Sequence, residues 1–136
     1  MPILNVKVSR AASPELTRQI AELLMAHTTR ILKKARAVTA IAIDYVPPEH
    51  WVIGGETLAE QGKSSVYFDI KITDGTNTKD EKAQYIAECF AAFAQLLGPL
   101  HATSYIYVQD VRAEAYGYAG QTQEWRYIEA TLRSQR

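Results

Sequence analysis

SVYFDIKIT (Ser65–Thr73) places Val66, Phe68, Ile70 and Ile72 on one face of an extended chain, the period of a strand with one side in a core. DGTNT follows as a turn, and KDEKAQYIAECFAAFAQLL predicts a helix stopped by Gly98-Pro99. SYIYVQDV (Ser104–Val111) reads as the next strand. The same order of elements already stands earlier in the chain. PILNVKV (Pro2–Val8) alternates Leu4, Val6 and Val8 with Ile3, Asn5 and Lys7. In the helix that follows, Ser13 stands as N-cap before Pro14 at the first helical position, and lysines gather at the far end to complement the dipole. Leu16, Ile20, Leu23, His27 and Ile31 define its expected buried stripe. VTAIAIDYV (Val38–Val46) is a further strand, ended by Pro47-Pro48.

Two further marks put these units in register. Ile20-Ala21-Glu22 recurs as Ile86-Ala87-Glu88, and HWVIGGET (His50–Thr57) has its counterpart in AYGYAGQT (Ala115–Thr122), with shifts of 64 to 66 residues throughout. The expected fold is α+β: one domain over 1–136, made of two tandem β-α-β repeats (about 2–60 and 65–125) and a C-terminal tail. The strands join into a four-stranded sheet with both helices on one face. The other face is expected to carry Val38, Ala40, Ala42 or their neighbours rather than a row of charges, and so to meet copies of itself in a symmetric oligomer. WRYIEATLRSQR (Trp125–Arg136) is open to three readings: a short amphipathic helix, an arm over a neighbouring chain or a frayed tail.

Composition narrows the classes of function. Hydrophobic residues make up 47% and charged residues 22%, a globular profile without a membrane-spanning run. Fifteen basic and fifteen acidic residues leave no global field for nucleic acid or anionic lipid. Cys89 is the single cysteine, and His27, His50 and His101 stand far apart, so no metal site or intrachain disulfide is expected. With no secretory leader legible at the start, a cytoplasmic location is the expectation.

Pro2 directly behind Met1 carries the chemistry. Met aminopeptidases act when the second residue is small, which leaves Pro2 as a terminal secondary amine. Such an amine both accepts and donates a proton, and burial lowers its pKa toward neutrality by disfavouring the charged form. The bland alternative is a proline that only limits the conformations of the terminus or sets it for degradation.

Met1-Pro2-Ile3, the WVIGGE segment (Trp51–Glu56) and the duplicated β-α-β unit together resemble the tautomerase superfamily, specifically a tandemly fused relative of 4-oxalocrotonate tautomerase. The resemblance covers most of the chain and implies a trimer, no cofactor and a catalytic amino-terminal proline acting on a small enol or keto acid. Only the first half supplies that amine, because Val66 occupies the Pro2 position of the second. The resemblance also implies pocket roles for Trp51 and its counterpart Tyr116. Tyr107 and His27 are similar in place to a tyrosine and a histidine of the cis-3-chloroacrylic acid dehalogenase branch, and Glu114 to that branch's water-activating glutamate. The family's two substrate-binding arginines fall on Ala12 and Ala40, with Thr76 and Tyr105 at the second-half positions; Arg10 lies two residues from the first. A dicarboxylate therefore fits less well than a monoanionic carbonyl compound. Lys33 and Lys34 at the helix end are candidates for an anion site or simply for dipole-complementing lysines.

The expected function is cofactor-independent keto–enol tautomerisation with Pro2 as general base and Tyr116, Tyr107, Trp51 and His27 around the substrate. The alternatives are a hydratase- or dehalogenase-like enzyme with protonated Pro2, or a non-catalytic ligand-binding trimer.

Overall fold

The computed structural model describes residues 2–135. In chain order it contains β1 (Ile3–Val8), α1 (Pro14–Arg30), β2 (Ala40–Tyr45), β3 (Val52–Ile53), β4 (Glu56–Thr57), α2 (Leu58–Gln61), β5 (Val66–Thr73), α3 (Lys79–Leu97), β6 (Tyr105–Val111), β7 (Gly117–Tyr118), β8 (Gln121–Thr122) and α4 (Gln123–Ser134). The main sheet has the order β2-β1-β5-β6. β1 runs parallel to β2 and β5 parallel to β6, each pair bridged by its long helix, while β1 and β5 meet antiparallel. Asn5 faces Asp69 across that central seam, and these two residues are also equivalents in the repeat. A local two-fold axis therefore relates the halves there.

The alternation read from the sequence sets which side is covered. Leu4, Val6, Val8, Val66, Phe68, Ile70 and Ile72 are all fully buried beneath α1 and α3. Phe68 meets Tyr85 edge-on at 6.1 Å and Phe93 at 6.0 Å, which anchors α3 to the sheet. On α1 the buried line is Ile20, Leu24 and Thr28, one residue round from the expected Leu23 and His27. The shift has a polar cause: the Thr28 hydroxyl lies 2.8 Å from the Tyr85 hydroxyl, so each satisfies the other inside the core. Cys89 is buried among these residues, and desolvation pushes its thiol up to about 12, which keeps it inert at neutral pH.

The open sheet face differs from expectation. Ala40 and Ala42 are on it, but Asn5 and Lys7 from β1 are also exposed there, and Asp69 and Lys71 from β5 form an ion pair at 2.7 Å. Asp69 is 7% exposed and also accepts from Tyr67 at 3.4 Å. The central strands thus give this face a polar middle, while Val38 lies in a 3-10 turn before β2.

Both halves end in a matched device. In the first, β3 and β4 form a tight hairpin, Thr57 caps α2, and Gly62 at φ 66 stops that helix after one turn. In the second, β7 and β8 form the hairpin and Thr122 caps α4. No glycine follows, so the segment from Trp125 continues as a helix to Ser134. Of the readings of the tail, the short helix is the one seen, through Ser134.

Candidate active site at the Pro2 end of the sheet

Pro2 is buried at the start of the central strand β1, and its carbonyl accepts the Ala40 N–H at 3.1 Å, the first rung toward β2. Carried one residue past Ile3–Lys71, the antiparallel register sets Pro2 beside Ile72. The next residue, Thr73, has its hydroxyl 3.3 Å from the Tyr116 hydroxyl. Of the pocket residues expected from the sequence, Tyr116 is therefore brought to the Pro2 end within a single chain. Partial burial raises its phenol pKa, and the bond with Thr73 works in the opposite direction. The proton consequently stays on Tyr116 at neutral pH, as a hydrogen-bond donor requires.

A chain of polar contacts continues from Thr73. The Thr76 hydroxyl donates to the Thr73 carbonyl at 2.6 Å, and Lys34 Nζ donates to Thr76 Oγ1 at 2.8 Å. Burial lowers the Lys34 pKa from its ordinary value of 10.5, while Glu81 and Asp110 partly hold it up. Lys33 does something different: it takes a left-handed conformation at φ 58 and pairs with Glu81 at 3.1 Å from an exposed position. That turn is what separates the two lysines, sending one outward and the other into the fold. The sequence flags both but offers no spacing that distinguishes them.

The remaining candidates lie elsewhere in the chain. Trp51 follows the far end of β2, and its carbonyl accepts the Leu58 N–H, so it occupies the opposite end of the sheet from Pro2. Tyr107 sits opposite Asp69 in the middle of β6, 54% exposed on the open face. His27 is partly buried on α1 with Nδ1 2.7 Å from the Leu23 carbonyl of its own helix. Glu114 and Arg112 form an exposed pair at 3.8 Å. Arg10 is committed to structure: it donates to Ser64 and to the Leu97 carbonyl at the end of α3. Among the described residues no group of three or more His, Cys, Asp and Glu is placed to hold a metal, and no helix is long and apolar enough to cross a membrane.

Next to Thr73 and Thr76 a cleft of about 660 Å³ opens between the β5–α3 turn and α4. Gln123 and Arg126 line it from the α4 side. Neither was singled out from the sequence, although the matched segments around Thr57 and Thr122 carry the signal that exposes them.

Two β-α-β units joined around a local dyad give this chain the fold of the solved fused 4-OT structures. The solved R7 fused 4-OT, described as an asymmetric trimer, superposes with a TM-score of 0.80 at 17% identity, covering 92% of this chain and 98% of that one. Pt0534, solved after inactivation by 2-oxo-3-pentynoate, gives 0.78 at 14% identity over 91% and 98%. FG41 malonate semialdehyde decarboxylase, inhibited by 3-bromopropiolate, gives 0.71 at 14% over 93% and 96%. No family model matches the sequence, and no curated protein does.

Proposed function

We propose that this chain is a cofactor-independent tautomerase, assembled as a homotrimer, in which the Pro2 amine moves a proton on a small carbonyl acid. The observation that carries the reading is the burial of Pro2 at the head of β1, close to the Tyr116–Thr73 pair and at the end of the sheet where Lys34 turns inward. Once Met1 is removed, the Pro2 nitrogen is a secondary amine, whose neutral form is the base needed for carbon acids. It takes a proton alpha to a carbonyl and returns it to oxygen or to another carbon, so atoms and charge balance without a cofactor. Tyr116 donates toward developing enolate charge, and Lys34 supplies positive potential that attracts the acid.

The tandem neighbour solved as a trimer supports the assembly. In a trimer the open faces of three sheets meet, which gives Tyr107 and Trp51 a route to the Pro2 site of another chain. His27 remains a candidate only as a partly buried group on α1.

The test is tautomerisation of phenylenolpyruvate and of 2-hydroxymuconate by wild type and Pro2→Ala across pH. Turnover on the first, carried by Pro2 and rising as pH rises through the amine pKa, is expected. A rate that falls over the same range assigns Pro2 as an acid, as in hydration or dehalogenation. Equal rates from Pro2→Ala contradict the reading, and a folded trimer with no turnover on either enol favours a ligand-binding role.

A further inference from the structure

The cleft beneath α4 is lined by residues that differ from their repeat equivalents in one direction. Gln123 occupies the position that Leu58 holds in the first half, directly after the capping threonine in both. Leu58 is 1% exposed and Gln123 is 7% exposed, so the fold buries this position either way and is content with a leucine. Gln123 nevertheless places an amide there, and its Nε2 is buried with no hydrogen-bond partner among the described residues. An unmade hydrogen bond of that kind costs about 1–3 kcal/mol. Such a group calls for an explanation, and an acceptor outside the chain is one that fits a position lining a cleft.

Arg126 repeats the pattern. Its equivalent, Gln61, donates from Nε2 to the Ile53 carbonyl at 2.9 Å and so closes the first hairpin. Arg126 makes the matching bond to the Tyr118 carbonyl at 2.7 Å, with its guanidinium 3.7 Å above the Tyr118 ring. Hairpin closure therefore needs only an amide, and the arginine adds charge and further donors, among them a buried Nε with no partner among the described residues. Both residues line the cleft together with Thr73 and Thr76, and Thr76 is the residue Lys34 bonds. Two exposed carboxylates, Asp74 and Glu124, also line it.

We infer that this cleft binds the carboxylate of a small monoanionic acid, with Gln123 Nε2 and the Arg126 guanidinium as donors. Buried donors recognise the acceptor, and Asp74 and Glu124 repel a second anionic group. The identity of the ligand as a carbonyl acid rests on the tautomerase reading; the donor set stands without it. The second half, which has no terminal amine, thus supplies the anion site that the absent arginines leave open.

The experiment is calorimetric titration with 3-phenylpropionate, a saturated acid that cannot be turned over, into wild type, Pro2→Ala, Gln123→Leu and Arg126→Gln. Each cleft variant copies the residue that the first half uses at that position, so the fold is preserved, and circular dichroism checks it. Wild type and Pro2→Ala are expected to bind alike, while either cleft variant weakens binding about tenfold, in line with loss of one charge-assisted or buried hydrogen bond. The neutral 3-phenylpropanamide and the dianionic benzylmalonate should both bind less tightly than 3-phenylpropionate. Absence of binding to wild type, folded cleft variants that bind as wild type does, or a preference for the amide or the dianion would overturn the proposal. Failure of the amine reading shows separately, as a Pro2→Ala chain that turns over enols like wild type; affinity that still depends on Gln123 and Arg126 in that chain supports the cleft.

Discussion

At the scale of single residues, the tandem lysines Lys33 and Lys34 meet different surroundings. Its neighbour Lys33 is exposed and occupied with Glu81, whereas Lys34 is half-buried, with burial drawing its pKa below 10.5. Under the proposed function Lys34 attracts the acid as a cation, so activity on an acidic substrate should fall as pH rises through that lowered pKa. Lys34→Arg should move this alkaline limb upward, and Lys34→Gln should raise KM several-fold with a smaller change in kcat; pH–rate profiles check both. An alkaline limb unchanged in Lys34→Arg would show that another group sets it. None of this was legible in the tandem Lys33-Lys34, because the distinction depends on the left-handed turn at Lys33. Gln123 was closer to legible: aligning the capping threonines puts Leu58 opposite it, and a polar residue in a buried slot is a readable anomaly.

At the scale of elements, the period-two pattern placed β1 and β5 correctly because every second residue is apolar and one face is covered. The helix was harder. Leu23 and Leu24 are both apolar, so the stripe on α1 could pass through either, and what chose Leu24 and Thr28 was a polar bond to Tyr85 on another helix. Thr28→Val should cost about 1–3 kcal/mol by leaving the buried Tyr85 hydroxyl with only the weak Cys89 thiol as partner, and adding Tyr85→Phe should recover part of that loss; urea unfolding of the three variants measures it. Recovery of nothing would mean that the pair does not stabilise α1 against α3. Helix α3 makes a pH prediction. Glu81 caps Thr78, and its carboxyl is held down to about 2 by the Thr78 backbone N–H, with Lys33 and Asn77 adding to it. A depressed carboxylate stabilises the fold above its ordinary value of 4.5, and that contribution is lost as pH falls through about 2. Glu81→Gln should therefore flatten the fall of thermal stability between those limits.

At the scale of the whole molecule, the open sheet face defines what a single chain lacks. Sequence reading weighed the alanines of the edge strand β2 and missed that β1 and β5 put Lys7, Asp69 and Lys71 at the centre, so the face is suited to an ordered polar interface as much as an apolar one. Sedimentation equilibrium should give the mass of three chains, and a monomer at micromolar concentration would contradict the proposed assembly. Tyr107 lies on this face, away from its own Pro2, so in the proposed trimer it serves only the site of a neighbouring chain. Refolding Pro2→Ala and Tyr107→Phe chains as a mixture should therefore regenerate activity neither has alone, with random mixing restoring about a quarter of the sites. The central claim remains the amine of Pro2. The most direct measurement is to treat wild type with 2-oxo-3-pentynoate, a conjugated alkynone that captures a neutral amine, and locate the added mass by peptide mapping. The account predicts loss of activity with one adduct per chain on a terminal Pro2. An adduct elsewhere, or a chain that keeps Met1 and remains active, would contradict it.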